Sequence, residues 1–164
     1  GVKLSSHPDH KYPIAELATK SGDRVYMTAF DIELEGSELA AVAESLAQGL
    51  VSNSEYKGIV FPMVSLDHRV DVSWVIGLET HGSDGQSFWV DRAVQQTRFR
   101  MNEFGARAQS AFAAAVAGCT PQGPGPYTLN QPFLIWIERT VLSKALFVGH
   151  IGTDDWKNPG DITS

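Results

Sequence analysis

The chain has 164 residues, the length of one ordinary domain, of which 43% are hydrophobic and 20% charged; this fits a globular protein with a full core and excludes disorder. Thirteen basic against nineteen acidic side chains leave a formal net charge of -6 and a pI near 5.3, which argues against nucleic acid and against an anionic membrane surface as partners. The longest apolar run, 111–117, is far short of the ~20 residues that span a bilayer. The single cysteine, Cys119, excludes an internal disulfide and a cysteine-rich zinc module.

Residues 1–11, polar through Ser5, Ser6, His7, Pro8, Asp9 and His10, read as a loose arm. Tyr12 to Thr19 is a weak strand, 20–23 a turn, and Arg24 to Leu34 a good strand carrying Val25, Tyr26, Thr28, Phe30 and Ile32. Together they predict a hairpin. Glu35-Gly36 breaks that strand, and Ser37 is placed to cap a helix running to Gln48. Leu39, Val42, Ala43 and Leu46 form its buried stripe, and Gly49 suits its C-terminal cap. Gly58 to Leu66 is an apolar strand that Pro62 pushes toward an edge or a bulge. Asp71 is suited to cap a short helix through Val72, Val75, Ile76 and Leu78, weakened by Gly77. A polar turn follows at 81–86.

Ala93 to Glu103 predicts a long strand, with Gln95, Thr97, Phe99 and Met101 alternating against Val94, Gln96, Arg98 and Arg100. The segment 106–117 then holds seven alanines in twelve residues. It suits either a marginal helix capped by Gly118 or a strand that slides where only small side chains fit. Residues 118–126 are a Gly/Pro stretch, and 132–138 and 145–151 are apolar runs that suit a buried hairpin.

Cys119 paired with one of the five histidines (His7, His10, His68, His81, His150) would make a nucleophile couple. The plainer reading is a loop thiol, because no helix start lowers its pKa. His7 and His10 have ligand-like spacing but sit in the arm and lack further donors. Asp67, His68 and Asp71 lie beside a strand-to-helix turn, where capping is the simpler use. Asp154-Asp155 reads as a solvated turn. Phosphate-binding glycine loops, nucleophile elbows and zinc-protease helices are absent. The residues therefore predict neither an enzyme nor a bound cofactor or metal.

Tyr-Thr-Leu-Asn-Gln-Pro-Phe-Leu-Ile-Trp-Ile, residues 127–137, resembles the signature near the C-terminus of the serpins, a family of serine protease inhibitors. Ala-Leu-Phe-Val-Gly-His-Ile, 145–151, is similar to that family's last strand, with Gly149 at the family's glycine. Upstream, 93–105 resembles the strand leading into the reactive-centre loop. On this resemblance Glu103 and Gly105 are the hinge acid and glycine, and Ala106, Ala108 and Ser110 continue the small-residue hinge. Counting from Gly105 puts the bait bond at Cys119-Thr120 or within one or two residues of it. Several positions depart from the pattern. Ala106 replaces the usual hydroxyl residue, Arg107 is large, Gln109 interrupts the small run, and Arg98 stands at a usually apolar position.

The order of elements matches only the second half of a serpin. The resemblance implies an α+β fold: a serpin-like C-terminal half as one partial domain over 1–164, with antiparallel sheets from the hairpins 12–34 and 131–151, a few short helices and a remnant of the large sheet. It implies a serine or cysteine protease as partner and admits an extracellular or cell-envelope setting. Trapping works by inserting the cleaved hinge as a new strand between two neighbours, and this chain supplies only one, 93–103. The expectation is therefore an inhibitor-like chain unable to trap a protease covalently by itself, completed by a homo-oligomer or a companion chain. The rival is a non-inhibitory binding or assembly module on the truncated fold, and a Cys119 hydrolase comes third.

Overall fold

The protein is described from a computed structural model, which places residues 1–34, 36–101 and 124–160. Its centre is a six-stranded sheet. Four of the strands come from the first part of the chain: β1 (Val2–His7), β2 (His10–Ala18), β3 (Arg24–Ala29) and the short β4 (Val51–Ser52). The last two are β11 (Phe133–Glu138) and β12 (Phe147–Ile151). Their spatial order is β12-β11-β3-β2-β1-β4. Every pairing in it is antiparallel.

Alternation along β3 and β11 explains why this sheet is buried on both sides. Met27, Ala29, Phe133 and Ile135 face one cluster, together with Leu4, Ala15, Ile59, Val64 and Ile151. Tyr26, Phe30, Leu134 and Trp136 face the other, with Ile14 and the stripe Leu39, Ala43 and Leu46 of helix α1 (Gly36–Leu46). The helix thus covers one face of the sheet. The opposite face is covered by four further strands: β5 (Ile59–Val60), β6 (Val64–Val70), β9 (Gln95–Met101) and β10 (Tyr127–Thr128). β6 pairs antiparallel with β9, and β5 pairs parallel with β10. A small hairpin, β7 (Glu79–His81) with β8 (Ser87–Trp89), completes the chain.

The helix, the turn at 81–86, the strand after residue 93 and the antiparallel pairing of the last two apolar runs agree with the sequence reading. Several expectations are corrected. Residues 1–11 are no arm: Val2 to Ser5 pair with Leu17 to Ile14, and the strand completes the sheet. The two hairpins expected as separate sheets are one, because β11 inserts beside β3 with Phe133 opposite Ala29 and Glu138 opposite Arg24. The strand expected to reach Leu34 stops at Ala29, where the Phe30 amide turns to the Pro132 carbonyl.

The helix starts at Gly36, so Ser37 lies inside its first turn and not at the cap. The apolar run 58–66 divides into β5 and β6 around Pro62, which has no amide proton for a ladder. The helix expected over 71–79 is a single 3-10 turn at Ser73–Val75. Gly77 takes a left-handed φ of 85°. Its amide donates to Val90, and Val90 donates back to Leu78, so the chain enters the small hairpin instead.

Candidate functional site

The hinge positions Glu103, Gly105, Ala106, Ala108 and Ser110, and the bait positions Cys119 and Thr120, lie outside the described residues. The alternative structures of the alanine run lie there too. The described chain gives the two anchors of that segment, and both fall on one short stretch. On the departing side Met101, the last residue of β9, pairs with Val64. On the returning side Lys57 donates its amide to the Gly125 carbonyl at 3.0 Å. The Tyr127 amide reaches the Gly58 carbonyl at 2.8 Å, and the Leu129 amide reaches Val60 at 2.8 Å. Tyr127 stands opposite Ile59. The backbone from Ile59 to Val64 covers at most ~18 Å. The described residues on either side of 102–123 are therefore anchored along one stretch, 57–64, that bends at Pro62.

Beneath the departing anchor, β9 is held by its inner face. Thr97, Phe99 and Met101 are half-buried, whereas Gln96, Arg98 and Arg100 are exposed. The Phe99 ring stacks on Phe147 of β12, with centroids 5.0 Å apart and planes at 11°. Gly149 follows from this contact. A Cβ on Gly149 would meet Phe147 Cζ at 2.9 Å, and that ring is held against Phe99.

The outer face of the β6–β9 ribbon is polar. Gln96 Nε2 donates to Asp67 Oδ1 at 2.6 Å, and Arg98 Nε donates to Asp67 Oδ2 at 3.2 Å. The Gln96 hydrogen bond first, then the Arg98 charge, hold the Asp67 carboxyl below the usual range. Arg98 thus has a cross-strand carboxylate directly opposite it, which explains why a cation is tolerated at that position. Asp67 is a strand residue in this pair, not the cap expected of it. Asp71 is not the cap either: Val72 holds the N-cap position of the 3-10 turn with no side-chain cap hydrogen bond, and Asp71 accepts the Ser73 amide at 2.8 Å two residues on.

β9 has β6 on one side, and among the described residues no strand lies on the other. The stretch that links β6 to β9 exposes many apolar side chains. Val70, Trp74, Ile76, Leu78, Phe88, Trp89 and Val94 are all exposed, Trp74 to 75% and Val94 to 85%. Isolated exposed apolar residues are ordinary, but this many within one stretch of chain departs from that pattern.

The remaining chemical candidates resolve structurally. His7 and His10 flank the β1–β2 turn, where His7 Nδ1 accepts the Asp9 amide at 3.1 Å. Thr28 donates to the Pro13 carbonyl at 3.0 Å, so the 2.8 Å contact of its hydroxyl with His10 Nε2 makes that nitrogen the donor. Burial, with the neighbouring His7, pushes the His10 pKa down. His150 Nε2 lies 3.0 Å from the Phe30 carbonyl. Asp155 accepts the Gly152 amide at 3.3 Å in a 3-10 turn. Among the described residues no group of three or more His, Cys, Asp or Glu side chains converges on a metal position. No described helix is long and apolar enough to cross a membrane.

Against known proteins, no family model and no curated relative matches the sequence. The three-dimensional arrangement does find counterparts among solved structures. The crystal structure of mouse protein-Z dependent protease inhibitor, a serpin, superposes over 92% of this chain with a TM-score of 0.58 and 15% identity. The fold is serpin-like. The match covers 43% of that inhibitor's chain, so this chain spans less than half the length of the protein that it resembles.

Two features escaped the sequence reading. The Asp67–Arg98–Gln96 cluster could have been read from the antiparallel pairing of 64–70 with 95–101, had the register been known. The clasp of Asp23 and Arg139, at 2.7 and 3.0 Å, joins turns far apart in the chain, and no local signal announces it.

Proposed function

We propose that this chain is a serpin-family protease-inhibitor-like protein, a non-enzyme whose hinge and reactive-centre-like loop run over about 103–126, with the bait bond at or beside Cys119-Thr120. The observation that carries the reading is the anchoring: a segment of loop composition leaves from the end of β9 and returns through Tyr127, both beside residues 57–64. The partner this implies is a serine or cysteine protease, in an extracellular or cell-envelope setting.

The isolated chain does not trap its protease. An inserting hinge needs a strand on each side, and beside β9 the described residues supply no second strand to flank it. The open edge and the apolar surface of 70–94 support completion by a second copy or by a companion chain. The same surface favours the second reading, a non-inhibitory binding or assembly module on the truncated fold.

Incubation with a panel of serine and cysteine proteases, followed by a denaturing gel and light scattering, tests these points together. The expected result is cleavage first at 117–126, no denaturant-resistant adduct, and a mass above that of the monomer. An adduct would overturn the claim of incompetence. A loop that resists while 20–23 or 81–86 is cut would overturn the inhibitor reading, and a strict monomer would remove the completion argument.

A further inference from the structure

The free edge of β9 is long and unprotected. Alternate residues of a strand send their amide and carbonyl groups to opposite sides, and among the described residues β9 has β6 on one side only. The strand is seven residues long, contains no proline and keeps one unbroken register against β6. Natural sheet edges are kept from pairing by shortness, proline, bulges or lysine. The end strand β4 of the central sheet uses shortness, with two residues. β9 has instead two arginines, Arg98 and Arg100, which restrict the register in which anything can join it.

That restriction selects one self-pairing. A second copy added antiparallel to β9 forms an isologous pair about a two-fold axis perpendicular to the ribbon, and directly opposite residues then share a face. An axis at Arg98 sets the two guanidiniums against each other. One at Phe99 sets Arg98 against Arg100 twice, and one at Gln96 sets Arg92 against Arg100 twice. Like charges directly opposite destabilise a ladder. An axis at Thr97 sets Arg98 against Gln96 and Arg100 against Val94, and no like charges of β9 meet.

The groups that this register brings together are those the single chain leaves unused. Gln96 spends Nε2 on Asp67 and keeps its amide oxygen; Arg98 spends Nε on Asp67 and keeps its terminal nitrogens. Cβ atoms directly opposite on paired strands lie about 5 Å apart, which lets a guanidinium donate to a facing amide oxygen. Each Asp67–Gln96–Arg98 cluster thus closes onto that of the other copy, at two symmetric places. On the inner face the half-buried Thr97 hydroxyl has no hydrogen-bond partner among the described residues. At the axis it meets its own copy, and a hydroxyl can both donate and accept.

We propose that the chain forms a homodimer in which β9 pairs antiparallel with β9 of a second copy, in register about Thr97. This rests on the reading that the truncated fold is completed from outside, and it names both the occupant and the contact. It does not involve the cleavage of any loop or the presence of a protease.

Sedimentation equilibrium of the whole chain and of three variants tests the pairing, with circular dichroism to confirm that each variant folds. The chain should show a monomer–dimer equilibrium below ~1 mM, the weak end of specific association. Gln96→Arg keeps a partner for Asp67 but faces Arg98 of the other copy twice, and should weaken the dimer about tenfold. Gln96→Glu faces the same two guanidiniums with opposite charge, and should tighten it severalfold at low salt. Arg100→Glu, opposite Val94, should leave the dimer constant unchanged. In a mixture of isotope-labelled and unlabelled chain, filtered NMR should show Arg98 of one copy in contact with Gln96 of the other. A dimer indifferent to both Gln96 substitutions, one that follows Arg100, or one without that contact would overturn this pairing while leaving completion through another surface. A strict monomer at ~1 mM would overturn both the pairing and completion by a second copy.

Discussion

The central sheet and the ribbon beyond it are built from similar residues and end in opposite states. β11 carries Phe133, Leu134, Ile135 and Trp136, all fully buried, because α1 lies over one face and β5, β6, β9 and β10 over the other. The ribbon and the stretch that links its two strands carry Val70, Trp74, Ile76, Leu78, Phe88 and Trp89, all exposed, and every residue of the β7–β8 hairpin within that link is exposed with them. Apolar content therefore does not decide burial. What decides it is whether another layer is present to receive the side chains. The sheet has both of its layers, and the ribbon has one, on the side of Phe99 and Phe147.

Removing a tryptophan from each region in turn makes the sharpest test of that contrast. Trp136 is fully buried, stacks on Tyr26 at 5.0 Å and donates to Glu138 at 3.2 Å. Trp136→Ala should lower unfolding free energy by ~3–5 kcal/mol, whereas Trp74→Ala should stay within ~0.5 kcal/mol, both read from urea curves. Equal losses would mean that the ribbon surface is already covered in solution.

Gly149 probes the seam between the two regions. Gly149→Ala places a methyl against the Phe147 ring, which cannot move without disturbing Phe99 beneath β9. A loss of ~1–3 kcal/mol is expected, together with faster amide exchange along 95–101. An unchanged melting curve would show that the ring stack tolerates rearrangement.

The smallest effects are those of pH, and they separate the sheet's charges from the ribbon's. His10 has a folded pKa pushed below its unfolded value, so its neutral form is favoured by folding. Stability should be full above ~6.5 and fall as pH drops from there toward the depressed folded value. His10→Gln should flatten that limb. Asp23 is held low first by the Arg139 hydrogen bonds and then by Ser21. Its contribution should persist above the unfolded value near ~3.9 and vanish as pH falls through the lower folded one. Asp67 in the ribbon has the same sign, but it lies on an exposed face where water and salt screen it. Thermal melts between acid and neutral pH should therefore respond to Asp23→Asn more than to Asp67→Asn. The reverse order would place the stability-limiting contacts in the ribbon.

Much of the candidate site was legible as chain order. The alternation of Thr97, Phe99 and Met101, the runs 132–138 and 145–151 and the glycine at 149 each carry their own two-residue period or local constraint, so strand and hairpin followed from sequence. The stripe Leu39, Val42, Ala43 and Leu46 likewise settled a helix before any neighbour was known. The opening strand Val2–His7 could not be read that way. Ser5, Ser6 and His7 have little β-preference, and pairing with residues 10–17 makes them a strand.

The segment 71–79 failed for the converse reason. Its helical spacing was outweighed by Gly77 and by the Val90 hydrogen bonds that draw Leu78 into a hairpin. Local periodicity, turn residues and composition are properties of neighbouring positions, and the sequence by itself determined those. Which hairpins share a sheet, which apolar faces find a covering layer, and that Asp67 meets Arg98 and Asp23 meets Arg139 are matters of contact between distant positions. The tertiary structure alone decided them, because each depends on register and layering that no short window of chain contains.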